Sequence, residues 1–404
     1  MTYVRLLRLV VAVTFIAAVM VAPTAGAATG RAEQADKSDN VKLLKTYRYA
    51  GVAENDRFRT AGTDMAFQGK WVYAMQQGNA GGVHVIDASK KVPKKVAFIP
   101  CAGGQNDVAV VKPGLIALGY HSSTCAETPG GGVRLIDVKN PKRPKYLGSV
   151  NDLPGGTHTV TAYPGKPIIY ASPGGLANGA GIEQILDVSN PRAPKVAATF
   201  TPNPAGCHDL VFDIRKDRKI AVCAGLGETQ IWDVSDPLAP RTIGRIHNPL
   251  IFFHHSAAIS PDGELLVLGD ENFAANECRG GPTGAMFAYD ISNPALPVPQ
   301  GYFGINRGES PISAPDVDRG QWCTAHLFNF IPGTRIMVAS WYAAGMNVID
   351  WTNPQSPQEI EHYMTEEANY WSAYWHDGLV YANDRERGAL DIFRIAGLKE
   401  DKAR

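Results

Sequence analysis

A short phrase recurs along the whole chain and constrains its fold more than any other feature. The copies are GVHVID at 82–87, GVRLID at 132–137, IEQILD at 182–187, TQIWD at 229–233, AMFAYD at 285–290 and GMNVID at 345–350, with a degenerate GALDIF at 388–393. The six complete copies end in Asp, and successive Asp residues are 50, 50, 46, 57 and 60 positions apart. Repeats of this length with variable loops are typical of β-propeller blades rather than of a rigid solenoid.

Two kinds of turn separate the phrases. Asn-Pro or Asp-Pro pairs follow most copies, at 140–141, 190–191, 236–237, 293–294 and 353–354, and Pro-Gly or Asp-Gly pairs lie between copies, at 113–114, 164–165, 262–263, 332–333 and 377–378. Apolar strands bounded by such turns predict strand–turn–strand units. Each repeat is therefore predicted to be a four-stranded antiparallel sheet. The Asp of each phrase is predicted to form a turn by accepting hydrogen bonds from the backbone that follows it.

The seventh repeat has only three strands of its own, near 371–376, 379–382 and 389–394. The segment Val41 to Tyr49 resembles the outer strands of other repeats, and we predict that it completes the last blade and removes the exposed edges of an open array. Gly (41) and Pro (28) make up about 17% of the chain, which favours many turns over long helices. The predicted fold is all-β: a single seven-bladed β-propeller over 41–396, its last blade closed by the N-terminal strand, with a C-terminal tail at 397–404.

The N-terminus has the layout of a secretory signal peptide. Two Arg residues precede an apolar run at 9–22, and small residues follow at 25–28. The run is short for a membrane span, so we predict a signal peptide over 1–28 and a flexible lead-in over 29–40. An uncleaved N-terminal anchor is the alternative. The sequence thus predicts a secreted or extracytoplasmic protein with no membrane span after cleavage.

Six Cys residues in an exported chain predict disulfide bonds. The repeat register places all six at one end of the propeller, in or beside the loops that open onto its central channel. The predicted pairs are Cys101–Cys125, Cys207–Cys223 and Cys278–Cys323. The alternative for Cys207 is a thiolate metal ligand beside His208.

The phrases Val-Ile-Asp, Leu-Ile-Asp and Ile-Leu-Asp, most of them followed by an Asn-Pro turn, resemble the repeats of the LVIVD-repeat proteins of bacteria. The resemblance covers roughly 41–395. It implies an exported, propeller-like protein that is secreted or attached to the cell surface. It implies no particular chemistry, because one fold hosts many functions.

One face of a propeller carries the residues that lead into the innermost strand of each blade. Aligning the blades on their turn pairs gives one such residue per blade, here called the leading positions: Thr63, Asn106, His158, His208, His255, His326 and Trp371. Neutral imidazoles suit Zn, Cu or Fe, so we predict that the four His residues hold a transition metal near the channel axis. The alternative is that their rings cap hydrogen bonds between blades.

Further polar and aromatic residues are expected on the same face. The predicted ligand-binding residues are Asp107, Asp209, Trp341 and Trp371. The two Asp residues directly follow leading positions and are expected to orient a neighbouring imidazole. Glu271 and His121 lie in loops between the second and third strands, and we predict that they act as acid/base groups or as extra metal ligands.

Charge and motifs exclude several classes of function. Lys+Arg (39) and Asp+Glu (39) balance and no basic stripe is present, so no nucleic-acid partner is expected. The chain has no phosphate-cradling glycine loop and no dinucleotide fingerprint, so no nucleotide cofactor is expected.

Three functional hypotheses remain. The first is an exported propeller that binds a small molecule or a protein at the channel mouth, around a His cluster that holds Cu, Fe or Zn. The second is a metal-dependent oxidoreductase acting on a small organic substrate in the axial funnel, similar in fold and ligand type to carotenoid-cleaving oxygenases. The third is a cell-surface interaction propeller without metal. In each case we expect a monomer.

Overall fold

The computed structural model describes residues 35–49, 62–78, 80–89, 91–101, 103–123, 125, 130–174, 181–202, 206–275, 278–307 and 322–401. Over these ranges the regular structure consists of strands without helices, and the strands form seven antiparallel sheets. The prediction of a seven-bladed β-propeller is confirmed. The predicted signal peptide, 1–28, lies outside the described residues.

The first four blades follow one another along the chain, each with its innermost strand first. Blade 1 contains β3 (Gly62–Gln68), β4 (Trp71–Gln76), β5 (Gly82–Asp87) and β6 (Lys94–Pro100); blade 2 contains β7 (Gly103–Lys112), β8 (Leu115–Ser123), β9 (Gly132–Asp137) and β10 (Lys145–Asn151). Blade 3 contains β11 (Thr159–Ala162), β12 (Ile168–Ser172), β13 (Glu183–Asp187) and β14 (Lys195–Phe200); blade 4 contains β15 (Asp209–Ile214), β16 (Lys219–Gly225), β17 (Glu228–Asp233) and β18 (Arg241–Ile246).

The last three blades include two strands from the beginning of the chain. Blade 5 contains β19 (His254–Ile259), β20 (Leu265–Asp270), β21 (Met286–Asp290) and β22 (Val298–Phe303). Blade 6 contains β23 (Phe328–Phe330), β24 (Ile336–Ser340), β25 (Met346–Asp350), β26 (Gln358–Thr365) and, outermost, β1 (Ala35–Lys37). Blade 7 contains β27 (Tyr370–His376), β28 (Leu379–Asp384), β29 (Ala389–Ile395) and β2 (Val41–Arg48).

The apolar core lies between blades rather than within them. The described residues form seven hydrophobic clusters, and each cluster combines side chains of two consecutive blades, including blades 7 and 1. The middle strands are therefore covered on both faces, and β5 is buried at all six positions. This explains why the recurring phrases are nearly continuous apolar runs rather than alternating patterns.

The predicted closure of the ring is confirmed. β2 pairs antiparallel with β29, in a register that runs from Val41 opposite Ile395 to Arg48 opposite Ala389. The end of the predicted lead-in differs from the expectation, because Ala35–Lys37 is a strand that pairs with β26. The propeller thus begins earlier than the sequence predicted, with a fifth strand on blade 6.

The predicted role of the phrase-ending Asp residues is also confirmed. In all six complete copies one carboxylate oxygen accepts the N–H two residues further on; the Asp residues are Asp87, Asp137, Asp187, Asp233, Asp290 and Asp350. The hydrogen bonds measure 2.8 to 3.0 Å. These Asx turns lead from the third strand of a blade to its fourth strand.

Each blade is hydrogen-bonded to the next near the start of its innermost strand. At five junctions the residue after the leading position makes the bond: the Asp107 carboxyl accepts the Val160 N–H, Thr159 donates to the His208 carbonyl, Asp209 bonds the Ala257 backbone, Ser256 donates to the His326 carbonyl and Ser372 to the Thr63 carbonyl. At the other two the leading residue itself makes the bond: Asn106 donates to the Gln76 carbonyl and the His326 ring bonds the Trp371 carbonyl. These bonds satisfy buried backbone groups around the axis.

The three predicted cysteine pairs are confirmed. The Cα atoms of Cys101 and Cys125 are 5.3 Å apart, those of Cys207 and Cys223 5.4 Å, and those of Cys278 and Cys323 5.5 Å. Three disulfide bonds indicate an oxidising, extracytoplasmic environment. Within the described part of the chain, no helix has the length and apolar character needed to cross a membrane.

We expect the closing strand to be essential for the monomeric fold. A chain that starts at residue 50 lacks β2, which exposes the edge of β29 and removes part of the cluster between blades 7 and 1. This truncation should lower the melting temperature and produce oligomers in light scattering. A chain that starts at residue 38 lacks only β1 and serves as the control. Equal melting temperatures and a monomeric state for both chains would contradict the closure.

Candidate metal centre

The leading positions converge on one axial cavity, as their alignment predicted. Six of the seven line it; its described lining residues are Asp64, Asn106, Asp107, His158, Thr159, His208, Asp209, His255, His326, Leu327 and Trp371. The cavity measures about 30 Å³, which leaves room for an ion and a water molecule or two. Thr63 lies next to it and donates a hydrogen bond to Asn106.

The four predicted His ligands form an arc around this cavity. Their ring centroids are 4.2 Å apart from His158 to His208, 4.2 Å from His208 to His255 and 4.3 Å from His255 to His326. Burial lowers the pKa of His158 to about 4 and the pKa values of His255 and His326 to about 3, and it holds the pKa of His208 well below its usual range. The imidazoles are therefore neutral at pH 7, the form that binds metals.

Glu271 joins two of the four His residues in a compact group of possible ligands. Its Oε2 lies 3.3 Å from Nε2 of His255, and its Oε1 lies 3.4 Å from Nε2 of His326. All three side chains are buried, and one ligand atom of each lies within 4.8 Å of the other two. We call His255, Glu271 and His326 the His–Glu–His group.

The contacts of His326 determine which of its nitrogens can bind a metal. Its Nδ1 faces the carbonyl oxygen of Trp371, which can only accept, so Nδ1 carries the proton and donates. Nε2 therefore has a free lone pair, and no hydrogen-bond donor of the described residues reaches it. That lone pair faces a Glu271 oxygen, which is also an acceptor, and a cation between the two would turn this unfavourable contact into a favourable one.

The distances also fit a metal ion. Two ligands that are each ~2.0–2.1 Å from a tetrahedral metal lie roughly 3.3–3.4 Å apart. The two Glu271–imidazole distances, 3.3 and 3.4 Å, fall in this range. The His–Glu–His group could thus bind an ion with small side-chain movements, and the His208 ring stands beside it.

Asp270, the residue before Glu271, organises the loop that carries it. Its carboxylate accepts the N–H groups of Phe252, Phe253 and Gly284 at 2.9 to 3.0 Å. The Glu271 N–H in turn donates to the Phe253 carbonyl. These bonds tie the loop after β20 to the segment that leads into β19, and so place Glu271 beside His255.

The two predicted acid/base residues lie at opposite ends of the arc. Glu271 is within contact distance of two imidazoles and therefore belongs with the candidate ligands rather than apart from them. His121 lies beyond the other end, its ring centroid 6.0 Å from that of His158. The structure does not bring them together as a catalytic pair.

The two predicted ligand-binding Trp residues also differ in position. Trp371 lines the cavity, and its ring centroid is 4.6 Å from that of His326. Trp341 is buried in the cluster between blades 5 and 6, where it packs edge-to-face on Phe303. It is part of the core and does not line the cavity.

Asp107 and Asp209 line the cavity, but their carboxyl groups form hydrogen bonds with backbone N–H groups. Among the described residues, they do not form hydrogen bonds with the imidazoles that they were expected to orient. Asp107 accepts the N–H groups of Val108 and Val160 at 2.6 Å each. Burial and the neighbouring Asp64 raise the pKa of Asp107 well above its usual range, and burial raises the pKa of Asp209 to about 7. Their main role is to connect consecutive blades.

Sequence reasoning missed Asp64. It follows a leading position just as Asp107 and Asp209 do, so the same alignment would have found it; it accepts a hydrogen bond from the Tyr374 hydroxyl at 2.6 Å. The hydrogen bond that Tyr342 donates to Glu271 is indicated by no repeat pattern, because Tyr342 lies in a loop of variable length.

Comparisons with known proteins support the fold alone. No family model matches the chain, and no curated protein matches it either. Among solved structures it is similar to Sqt1 of Saccharomyces cerevisiae, with a TM-score of 0.57 and 9% identity over 88% of this chain and 99% of that one. The resemblance to the LVIVD-repeat proteins stays a prediction.

We expect replacement of Asp107 to affect stability rather than metal binding. Asp107→Ala leaves two buried N–H groups without their acceptor, which should lower the free energy of unfolding by about 1–3 kcal/mol in urea denaturation. Asp107→Asn keeps one acceptor oxygen and should lose less. A weaker affinity for Co²⁺ with unchanged stability would instead support the predicted role of Asp107 in orienting a His.

Proposed function

We propose that this protein is an exported β-propeller that binds one transition-metal ion at the His–Glu–His group. His208 stands beside the group as a further ligand, and His158 extends the arc. The proposal rests on one observation above all: the unprotonated Nε2 of buried His326 faces a Glu271 oxygen without a hydrogen-bond donor between them. A cation between two acceptors held in this way turns their repulsion into attraction.

The chemistry of the donors restricts the ion. Two imidazoles and one carboxylate are the donor set of non-haem iron centres and of several zinc sites, whereas Ca²⁺ and Mg²⁺ prefer oxygen ligands. The sequence suggested copper as well, on the basis of four imidazoles. A carboxylate within the ligand group favours iron or zinc over copper.

The size of the cavity bears on whether the centre is catalytic. A cavity of about 30 Å³ accommodates the ion and a water molecule or two, but no organic molecule. Metal binding, with exchange of water-sized molecules, is therefore a better proposal than oxidation of an organic substrate inside the channel.

A second candidate function is recognition of a partner by the rim of the same face. Leu250, Phe252 and Phe273 are exposed there, and Phe252 has 69% of its surface accessible. Phe252 and Phe273 belong to the two segments that Asp270 and Glu271 connect. Apolar side chains on an exposed rim are typical of interaction sites, and this function needs no metal.

Metal analysis of the purified, untagged protein tests the proposal. After incubation with Fe²⁺, Zn²⁺ or Cu²⁺ and dialysis, we expect about one ion per chain by mass spectrometry, with iron or zinc retained. Glu271→Gln and His255→Ala should each weaken binding at least ~10-fold in calorimetry, because each removes a direct ligand.

The matched control is His247→Ala, which removes an exposed imidazole outside the arc and should leave metal binding unchanged. Far-ultraviolet circular dichroism verifies the fold of each variant. A wild-type protein that retains none of the three metals would exclude the metal centre and favour recognition by the rim.

A further inference from the structure

Tyr342 has an unusual backbone for its residue type. Its φ is 42°, in the left-handed region, which is unfavourable for a bulky side chain. The other described non-glycine residues with positive φ are Asp152, Leu226 and Asp377, and Asp tolerates this region comparatively well. Such a conformation persists only where the surrounding structure enforces it.

Comparison between blades shows why the fold demands this conformation. In three blades the loop between the second and third strands forms a single β-bridge to the next blade, through Gly78, Leu226 or Tyr342. The φ angles at these positions are 98°, 65° and 42°. Glycine, as in blade 1, adopts such angles without strain. Leu226 shows that the turn also accepts a side chain without polar atoms, so the strain alone assigns no role to Tyr342.

The hydroxyl of Tyr342 distinguishes it from the equivalent residues. It is buried and donates to Oε1 of Glu271 at 2.5 Å. That oxygen is the one that faces His326, whereas Oε2 faces His255. The hydrogen bond therefore fixes the rotation of the carboxylate and holds one oxygen toward each imidazole.

The Tyr342 ring contacts both the candidate metal site and a permanent cation. Its centroid is 4.6 Å from that of His326 and 5.3 Å from the Arg385 guanidinium. Arg385 also hydrogen-bonds the Tyr342 side chain, which strengthens the hydroxyl as a donor to Glu271. The backbone is held as well, because the Tyr370 N–H donates to the Tyr342 carbonyl at 3.1 Å.

We propose that Tyr342 is a positioning residue of the metal centre: its strained backbone delivers the hydroxyl that fixes the Glu271 carboxylate between His255 and His326. The proposal rests on the proposed metal-binding function and assigns a role in it to a residue outside the ligand set. Groups that orient a metal ligand in this way typically contribute a ~10–100-fold gain in affinity.

Tyr342→Phe removes the hydroxyl and keeps the ring. With Co²⁺ as the probe, we expect an affinity ~10–100-fold weaker than that of the wild type and a changed visible absorption spectrum, because Glu271 can then rotate. Tyr342→Asn suits the left-handed region but cannot place a hydroxyl at Glu271. It should weaken Co²⁺ binding to a similar extent, and it replaces the Phe variant if that variant does not fold.

The matched control is Tyr370→Phe. Tyr370 is also a buried Tyr that donates to a carboxylate, that of Asp391 at 2.6 Å, in the next blade. This variant should lose stability like Tyr342→Phe but keep the Co²⁺ affinity and spectrum of the wild type.

The outcomes separate the two proposals. If the wild type binds Co²⁺ and Tyr342→Phe binds it within about twofold with the same spectrum, Tyr342 is a structural residue only and the positioning role is wrong, since orienting groups contribute more than this. If the wild type binds neither Co²⁺ nor iron, zinc or copper, the metal-binding function fails, and the positioning role fails with it; if it retains one of those metals but not Co²⁺, the same variants are compared with the retained metal.

Discussion

The hydrogen bonds between consecutive blades, at the start of their innermost strands, are the interaction on which the rest of this structure depends. A single blade cannot bury either of its apolar faces, so each cluster of the core exists only when two blades are held together. The bonds around the axis join neighbouring blades and gather polar side chains at a buried axis from which most water is excluded.

That exclusion determines the chemistry of the axis. Desolvation disfavours every charged form, so the buried imidazoles of His158 and His255 have low pKa values and the buried carboxyl group of Asp209 a high one. None of the described residues that line the cavity is Lys or Arg. Glu271 lies beside His255 and His326, and it is linked to the Arg385 guanidinium through the Tyr342 hydroxyl. In the proposed function, a metal ion binds both the lone pair of His326 Nε2 and the Glu271 oxygen that faces it.

Residues at equivalent positions of the repeat have different roles in different blades. At the leading position, Asn106 connects two blades, whereas the His326 ring connects two blades through Nδ1 and directs Nε2 toward Glu271. At the position that forms the β-bridge to the next blade, Gly78 contributes backbone hydrogen bonds. Tyr342 contributes the same kind of bridge and also donates a side-chain hydrogen bond to Glu271. Because the framework keeps these positions in register, a single substitution can turn a structural residue into part of a site.

The sequence by itself determined the number of blades, the closing strand, the cysteine pairs and the arc of four His residues. Each of these follows from a fixed repeat: once the phrases are aligned, residues such as His255 and His326 must occupy equivalent places around one axis. Only the tertiary structure decided that Glu271 joins the two imidazoles, that Tyr342 holds it, that Trp341 belongs to the core and that Ala35–Lys37 extends blade 6. Loops of unequal length have no register from which their contacts can be deduced, and a three-residue strand is too short to show a pattern. Their positions depend on contacts between residues distant in the chain, which exist only after the ring has closed.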